Sequence, residues 1–367
     1  MSKSFSIYLD LVRFTAACLV YLYHSNQRWL IADPLPASDY GHSSVIVFFV
    51  LSGFIIAYIT DTREKQLATY AASRISRIYS VALPAVLLTV FLDGIGRKIY
   101  PMPYNYPFDA IALRATTSLL MLNEWWFLSI TSFSNVPYWS IGYEMWYYVF
   151  FGVAIFLPKP MRAILLLLLA MVIGPKVVLL APIWLLGVVL YRWKSLQAIP
   201  EYAAWLLLVG TVAGIAAFHQ AGVSEKLANL LQVQLGKTWY EELTFSNHFL
   251  ADYILGGLVF LNFAAMRTVS HRIAPILNRL ERPIRFLAAH TLSLYLLHQP
   301  LFLFWGAIIR GDPSGSVFWW TTTGMVVFSV FAVSFVTERR RHVLTKRLAQ
   351  HLTQIETRIR HRHAIAK

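Results

Sequence analysis

The stretch LDLVRFTAACLVYLYH near the N-terminus carries three side chains that can do chemistry, Asp10, Arg13 and His24, among apolar residues. On a helix, Arg13 and His24 lie within about 20° of one face and about 16 Å apart along the axis. Asp10 lies three residues before Arg13, so the two can form an ion pair that lowers the cost of burying either charge. Because imidazole has a pKa suited to general-base catalysis, we expect His24 to be a base. A structural histidine in the core is the alternative.

One further stretch carries a pair of arginines that suits the binding of an anion, and another carries a candidate for lining a site. In ASRISRIYSVALP, Arg74 and Arg77 are three residues apart and share a helix face. Paired guanidinium groups present forked donors that match a phosphate. The alternative is that both arginines determine topology and anchor lipid phosphates. In SSVIVFFVLSGFIIAY, Ser52 is a candidate for lining a site, whereas Gly53 indicates close packing of helices.

Three further polar residues lie in later apolar runs. Glu144 lies within NVPYWSIGYEMWYYVFF, early in the predicted fourth span, where an unpaired carboxylate would cost several kcal/mol, so we expect it to have a partner. Tyr295 and His298 in HTLSLYLLHQPL are three residues apart and share a face. Glu144 and His24 both fall in the outer half of their predicted spans, so a contact between them is open.

The composition predicts an integral membrane protein. Of the 367 residues, 57% are hydrophobic and 14% are charged, with a mean hydropathy of +0.55, which the surface of a soluble domain would not tolerate. The net charge of +14 comes from basic residues between and after apolar runs, which indicates cytoplasmic loops and not a nucleic-acid interface. The single cysteine, Cys18, provides neither a disulfide framework nor a thiolate metal cluster. We expect no metal site.

Apolar runs and basic loops together predict the topology. Runs that can span a bilayer lie at about 6–28, 43–60, 75–92, 138–157, 162–174, 178–192, 201–219, 248–265, 286–309 and 316–337. The run at 111–122 contains Arg114, and the basic residues fall on one side only if this run does not cross. These patterns predict an all-α polytopic bundle of about ten transmembrane helices with both termini cytoplasmic. Residues 1–337 would form the transmembrane domain, and residues 338–367 a basic cytoplasmic tail.

Six stretches, in order along the chain, resemble the membrane-bound acyltransferase-3 family. They are the Arg13-to-His24 spacing after LDLVRF, FFVLSGFI, RISRIYSVALP, YWSIGYEMWYY, YLLHQPL and VTERRR. From first to last they span almost the whole chain. Two details depart from the family pattern, because Asp10 is followed by Leu where many members have Gly, and no proline follows Glu338. We expect no soluble esterase-like domain of the kind that some members carry, and therefore a stand-alone O-acyltransferase.

The resemblance implies a membrane enzyme that moves an acyl group, most often acetyl, from a cytoplasmic acyl-CoA to a hydroxyl group. The acceptor would be a carbohydrate or a polysaccharide precursor, and the enzyme would lie in the cytoplasmic (inner) membrane of a bacterium. The donor substrate would be acetyl-CoA or another acyl-CoA, with no metal. The partners are then the lipid bilayer, the acyl-CoA and the acceptor, and no nucleic acid.

The resemblance also implies roles for the candidate residues. Arg74, Arg77 and Arg13 would bind the phosphates of CoA. His24 would take the proton from the acceptor hydroxyl, and Glu144 would orient His24 or bind the sugar. His298 would polarise the thioester carbonyl or only line the site. The remaining site-lining candidates are Asp10, Ser52 and Tyr295.

A proton-coupled transporter or flippase of a polysaccharide precursor is the alternative function, because it could use the same ionisable residues as a proton relay. Against it, the sequence shows no inverted repeat and no pair of broken helices. A structural or sensory protein would leave Arg13, His24 and Glu144 unexplained. The sequence leaves open the acyl chain, the acceptor, a covalent intermediate and the oligomeric state.

Overall fold

The computed structural model describes residues 1–365, which form a bundle of α-helices. The helices are α1 Lys3–Ser25, α2 Gly41–Thr62, α3 Leu67–Ile99, α4 Ile111–Leu119, α5 Trp139–Phe156, α6 Lys159–Ile173, α7 Pro175–Arg192, α8 Glu201–Gln220, α9 Val223–Leu235, α10 Lys237–Glu242, α11 Phe249–Val269, α12 Ala274–Arg279, α13 Glu281–Ala288, α14 Thr291–Ile309, α15 Ser316–Val336 and α16 Arg341–Ile365. The described residues contain no β-strand. The all-α prediction is therefore confirmed.

Eight helical segments of the described chain are long and apolar enough to cross a membrane. They contain α1, α2, α3, α7, α8, α11, α14 and α15. The predicted spans that match α5 and α6 fall short in different ways, because polar and aromatic side chains lower the hydropathy of α5 and α6 has only 15 residues. The chain is thus an integral membrane helix bundle, and crossing by α5 and α6 stays a prediction.

The short run that contains Arg114 does not cross the membrane. Its helix, α4, has 9 residues. At 1.5 Å per residue such a helix is about 14 Å long, less than half of the roughly 30 Å of hydrocarbon in a bilayer. Arg114 is held by Asp109, with Nη2 2.7 Å from Oδ1, and by the carbonyl of Thr131 at 3.2 Å. The prediction for this run is confirmed.

Two helices have bounds that differ from the apolar runs. The predicted span 75–92 belongs to α3, which has 33 residues, because its polar flanks are also helical. The predicted span 286–309 is divided, since α13 ends at Ala288 and α14 begins at Thr291. The charged helix α13 therefore lies outside the spans. A hydropathy profile does not show where these helices begin and end, because a helix extends beyond its apolar segment wherever tertiary contacts support it.

The first turn of α1 lies on the same side of the bundle as the C-terminal helix. Lys3 forms an ion pair of 2.6 Å with Glu281 at the start of α13. The hydroxyl oxygens of Ser76 in α3 and Thr345 in α16 are 2.6 Å apart. We call this side the inner side and the opposite one the outer side. Shared placement of the two ends agrees with the predicted topology, in which both are cytoplasmic. The domain boundary at residue 338 stays a prediction.

Helices α2 and α7 make a close backbone contact at two glycines. A Cβ atom added to Gly53 would lie 2.0 Å from the carbonyl oxygen of Trp184. One added to Gly187 would lie 2.0 Å from the carbonyl oxygen of Val50. The packing role predicted for Gly53 is confirmed. This contact also positions Ser52, whose hydroxyl oxygen accepts a hydrogen bond of 3.2 Å from the indole of Trp184.

A buried ion pair fixes the outer side. Lys176 at the start of α7 donates to Glu124 Oε2 at 2.6 Å and to the carbonyl of Leu128 at 2.7 Å. Glu124 also accepts from Ser129 at 2.6 Å and from Thr244 at 3.0 Å. The side chains of Lys176 and Glu124 are 0% and 3% exposed. We call this group the outer ion pair, and it joins three segments that are distant in sequence.

Candidate active site

A cavity of about 460 Å³ lies toward the inner side, between α1, α2, α3, α5, α13, α14 and the segment that follows α15. We call it the inner cavity. Its charged lining consists of five arginines and three carboxylates: Arg13, Arg77, Arg285, Arg339, Arg341, Asp10, Glu144 and Glu338. The excess of arginines favours an anionic ligand. Within residues 1–365, no group of three or more His, Cys, Asp or Glu side chains could hold a metal ion.

Asp10 holds two of these arginines in place. Its Oδ1 is 2.9 Å from Nη1 of Arg13, and its Oδ2 is 2.8 Å from Nη1 of Arg285. The predicted pair of Asp10 and Arg13 is confirmed. Arg285 also donates to Glu281, which lies outside the spans, and hydrogen bonds from Lys3 and Arg285 lower the pKa of Glu281. Glu281 is therefore ionised near neutral pH, and the charges at the mouth of the inner cavity are fixed by one another.

Arg74 and Arg77, predicted to act together, have different surroundings. Arg74 is 3% exposed, donates to Glu64 at 2.5 Å and lies over the rings of Tyr70 and Tyr148. Arg77 lines the inner cavity, and no described residue forms a hydrogen bond or an ion pair with its guanidinium group. Arg74 thus has a structural partner, and Arg77 is available to a ligand.

Glu144 faces the inner cavity and has the partners that burial requires. Its Oε1 accepts hydrogen bonds from Ser52 at 2.7 Å and from the hydroxyl of Tyr148. Both bonds go to one oxygen, so Oε2 is left for a ligand. His24 has separate partners, which makes Glu144 part of the cavity wall and not the group that orients His24.

His24 and His298 form a hydrogen-bonded pair with defined proton positions. Nδ1 of His298 is 3.0 Å from the carbonyl of Leu294, which can only accept, so in the neutral ring this nitrogen carries the proton. Its bare Nε2 accepts from Nδ1 of His24 at 3.2 Å. The same Nδ1 is 3.0 Å from the carbonyl of Val20. Nε2 of neutral His24 is therefore unprotonated, as a general base requires.

The histidine pair lies one helical turn beyond the end of the inner cavity. Tyr295 lines the cavity, and its ring is 6.3 Å from the ring of His298, measured between centroids. The hydroxyl of Tyr295 is 2.7 Å from that of Ser140, and its ring packs against Phe48. Neither His24 nor His298 lines the cavity itself. Tyr295 therefore marks the boundary between the charged cavity and the base.

Comparison with known proteins identifies the family. The model of the acyltransferase domain of this family matches residues 6–339, nearly the whole chain. The chain belongs to the acyltransferase-3 family. It carries the acyltransferase domain of that family in a membrane helix bundle, and the resemblance seen in its six stretches is confirmed. No solved structure matches the chain.

Two relatives of this chain are peptidoglycan enzymes by name. The peptidoglycan O-acetyltransferase OatA of Listeria monocytogenes is 26% identical over 345 residues, which cover 82% of this chain and 50% of OatA. YrhL of Bacillus subtilis, whose name provisionally gives it the same activity, is 24% identical over 363 residues, which cover 88% of this chain and 52% of YrhL. The chain thus spans about half the length of these relatives.

Four charged residues of the candidate site were not among the sequence candidates: Arg285, Glu338, Arg339 and Arg341. Arg285 and Arg341 line the inner cavity from α13 and α16. Glu338 also lines it and accepts from the backbone N–H of Ser293 at 3.0 Å and from its hydroxyl at 2.8 Å. In the sequence these residues are part of basic segments typical of any cytoplasmic loop. Only the fold of α13 and α16 over the cavity mouth distinguishes them from their neighbours.

Proposed function

We propose that the protein is an O-acetyltransferase of a bacterial inner membrane, with cytoplasmic acetyl-CoA as donor and a hydroxyl group of a polysaccharide or its precursor as acceptor. One observation carries this proposal: a cavity lined by arginines on the inner side ends one turn from a histidine whose Nε2 is unprotonated. The names of OatA and YrhL support acetyl as the group and a cell-wall polysaccharide as the acceptor class.

The donor would bind with its phosphates at the charged mouth of the cavity. Coenzyme A carries several phosphate charges, and guanidinium groups bind phosphate through forked hydrogen bonds. Arg77 has no protein partner in the described chain, and Arg13 is oriented by Asp10. The narrow pantetheine arm would extend along the cavity toward Tyr295. Oε2 of Glu144 would accept a hydrogen bond from an amide N–H of this arm.

The reaction would proceed by direct transfer with His24 as the base. Nε2 of His24 takes the proton of the acceptor hydroxyl while the hydroxyl oxygen attacks the thioester carbonyl carbon. The resulting tetrahedral intermediate then breaks its C–S bond, and the CoA thiolate leaves and receives the proton from His24. His298 is a positioning residue, because its Nε2 accepts from Nδ1 of His24 and stabilises the imidazolium that forms.

Acetyl transfer by purified protein tests this proposal. Wild type and His24→Ala are reconstituted in lipid nanodiscs and incubated with radiolabelled acetyl-CoA and polysaccharide acceptors. We expect wild type to label the acceptor and His24→Ala to lose roughly 100-fold or more of the rate, since general-base catalysis contributes about 10²–10⁴-fold. His271→Ala is the matched control, because His271 is exposed and lies outside the cavity.

Two results would contradict the proposal. Transfer by His24→Ala at the wild-type rate would exclude the general-base role. Proton-coupled flux of a precursor in proteoliposomes, without acetyl incorporation, would favour the transporter.

A further inference from the structure

We infer that Arg341, at the start of α16, belongs to the donor site and binds a phosphate group together with Arg77. The inference rests on the proposed function, since it takes the donor to be a CoA thioester. Arg341 lies beyond residues 6–339, which match the family model. The C-terminal helix would therefore be part of the active enzyme and not only a basic tail.

Helix α16 packs along the inner part of α3, and this contact places Arg341. Ser76, which directly precedes Arg77, is 1% exposed, and its hydroxyl oxygen is 2.6 Å from that of Thr345. Thr345 in turn donates to the carbonyl of Arg341 at 3.0 Å, one helical turn back. The Ser76–Thr345 hydrogen bond thus connects the first turn of α16 to the turn of α3 that carries Arg77. Both arginines line the inner cavity.

Carboxylates of the cavity attract these two arginines, Glu338 both of them, but none is close enough to form an ion pair with either. Asp10 is bound to Arg13 and Arg285. Glu338 accepts from Ser293, and Glu144 accepts from Ser52 and Tyr148. No hydrogen bond or ion pair to the guanidinium group of Arg77 or of Arg341 occurs in the described part of the chain.

The two guanidinium groups repel each other, and Glu338, which attracts both, directs its hydrogen bonds to Ser293 and leaves their N–H donors unused. A phosphate offers the charge and the oxygens to bind both, as forked donors require. Such a phosphate belongs either to the CoA donor or to the headgroup of an anionic lipid. We assign it to the donor, because the same cavity continues past Arg13 and Glu144 toward Tyr295.

Binding of coenzyme A to the full chain tests the inference. Wild type, Arg341→Gln and Arg340→Gln are placed in nanodiscs of phosphatidylcholine, and affinities for coenzyme A and dephospho-coenzyme A are measured by calorimetry. We expect Arg341→Gln to weaken coenzyme A binding roughly tenfold, the usual effect of losing a charge-assisted hydrogen bond. Arg340→Gln removes the same charge from an adjacent residue that does not line the cavity, so its affinity should change less than about twofold.

A second variant tests the placement of Arg341 and leaves its charge intact. Thr345→Ala removes the hydrogen bond to Ser76 and retains every arginine. We expect it to weaken coenzyme A binding by a few-fold, roughly the value of one neutral hydrogen bond. Melting temperatures of all variants, recorded without ligand, show that each is folded.

The outcomes separate the inference from the proposed function. Weaker binding of coenzyme A alone supports contact with its 3′-phosphate, and weaker binding of both nucleotides supports contact with the diphosphate. Wild-type affinity in Arg341→Gln overturns the inference and leaves the proposed function standing. The same titrations are repeated in nanodiscs that contain phosphatidylglycerol, and an effect of Arg341→Gln seen only there overturns the donor assignment in favour of a lipid. Failure of wild type to bind coenzyme A overturns the proposed donor as well.

Discussion

The outer ion pair and the inner cavity both contain charged side chains inside a membrane protein, and they differ in whether those charges are paired with other protein groups. On the outer side, Lys176 and Glu124 have protein partners for each charged group, with Lys176 donating to Glu124 and to the carbonyl of Leu128. In the inner cavity, no described residue binds the guanidinium groups of Arg77 and Arg341. The first arrangement holds the fold, and the second is left open to a ligand.

Whether a buried charge has a close protein partner distinguishes structural from ligand-binding residues better than the type of residue does. Arg74 and Arg77 are three residues apart on α3, yet Arg74 is paired with Glu64 and Arg77 lines the cavity. A buried charge costs free energy unless it is paired. A charge that has no protein partner beside a cavity therefore indicates a binding site for the opposite charge.

The largest expected effect on stability comes from breaking the outer ion pair. Lys176→Met leaves the carboxylate of Glu124 buried without its cation, which typically destabilises a protein by about 3–5 kcal/mol. We expect a clearly lower melting temperature in detergent. The double variant Lys176→Met with Glu124→Leu should recover much of the loss, because no unpaired charge is left. A melting temperature equal to that of wild type would contradict the structural role.

A smaller effect, on catalysis alone, is expected at His298. His298→Ala removes one of the two acceptors of Nδ1–H of His24 and leaves the carbonyl of Val20, so the imidazolium loses about 1 kcal/mol of stabilisation, or roughly fivefold in kcat. KM for acyl-CoA should stay near the wild-type value, since His298 does not line the inner cavity. Steady-state kinetics with a varied donor distinguish this from a structural role. A change in KM alone would assign His298 to binding.

The smallest effect is expected where a pair is exposed, at Glu281. Hydrogen bonds from Lys3 and Arg285 lower the pKa of Glu281, so its contribution to stability is present above the unfolded pKa of about 4.3. It is lost as the pH falls through the lower folded pKa. Glu281→Gln should therefore lower the melting temperature slightly at pH 7 and not at pH 3. An equal effect at both pH values would show that charge is not involved.

The sequence predicts the class of fold and part of the site. Apolar runs reveal spans because the bilayer requires them, and short spacings along one helix predict the pair of Asp10 and Arg13. The sequence does not predict which side chains meet across the fold. His24 pairs with a residue 274 positions away, and Arg74 is distinguished from Arg77 by Glu64 in the connection between α2 and α3. Tertiary packing decides these contacts, and no local pattern encodes them.

The central claim is that arginines without protein partners in the inner cavity bind the donor. The change in melting temperature caused by coenzyme A tests it most directly, because a ligand that binds the folded state stabilises it by about 2.7 kcal/mol at 100 times its Kd. We predict that wild type and Lys176→Met show this increase, and that Arg77→Gln, with the melting temperature of wild type in the absence of ligand, shows a much smaller one. An increase in Arg77→Gln equal to that of wild type would contradict the account.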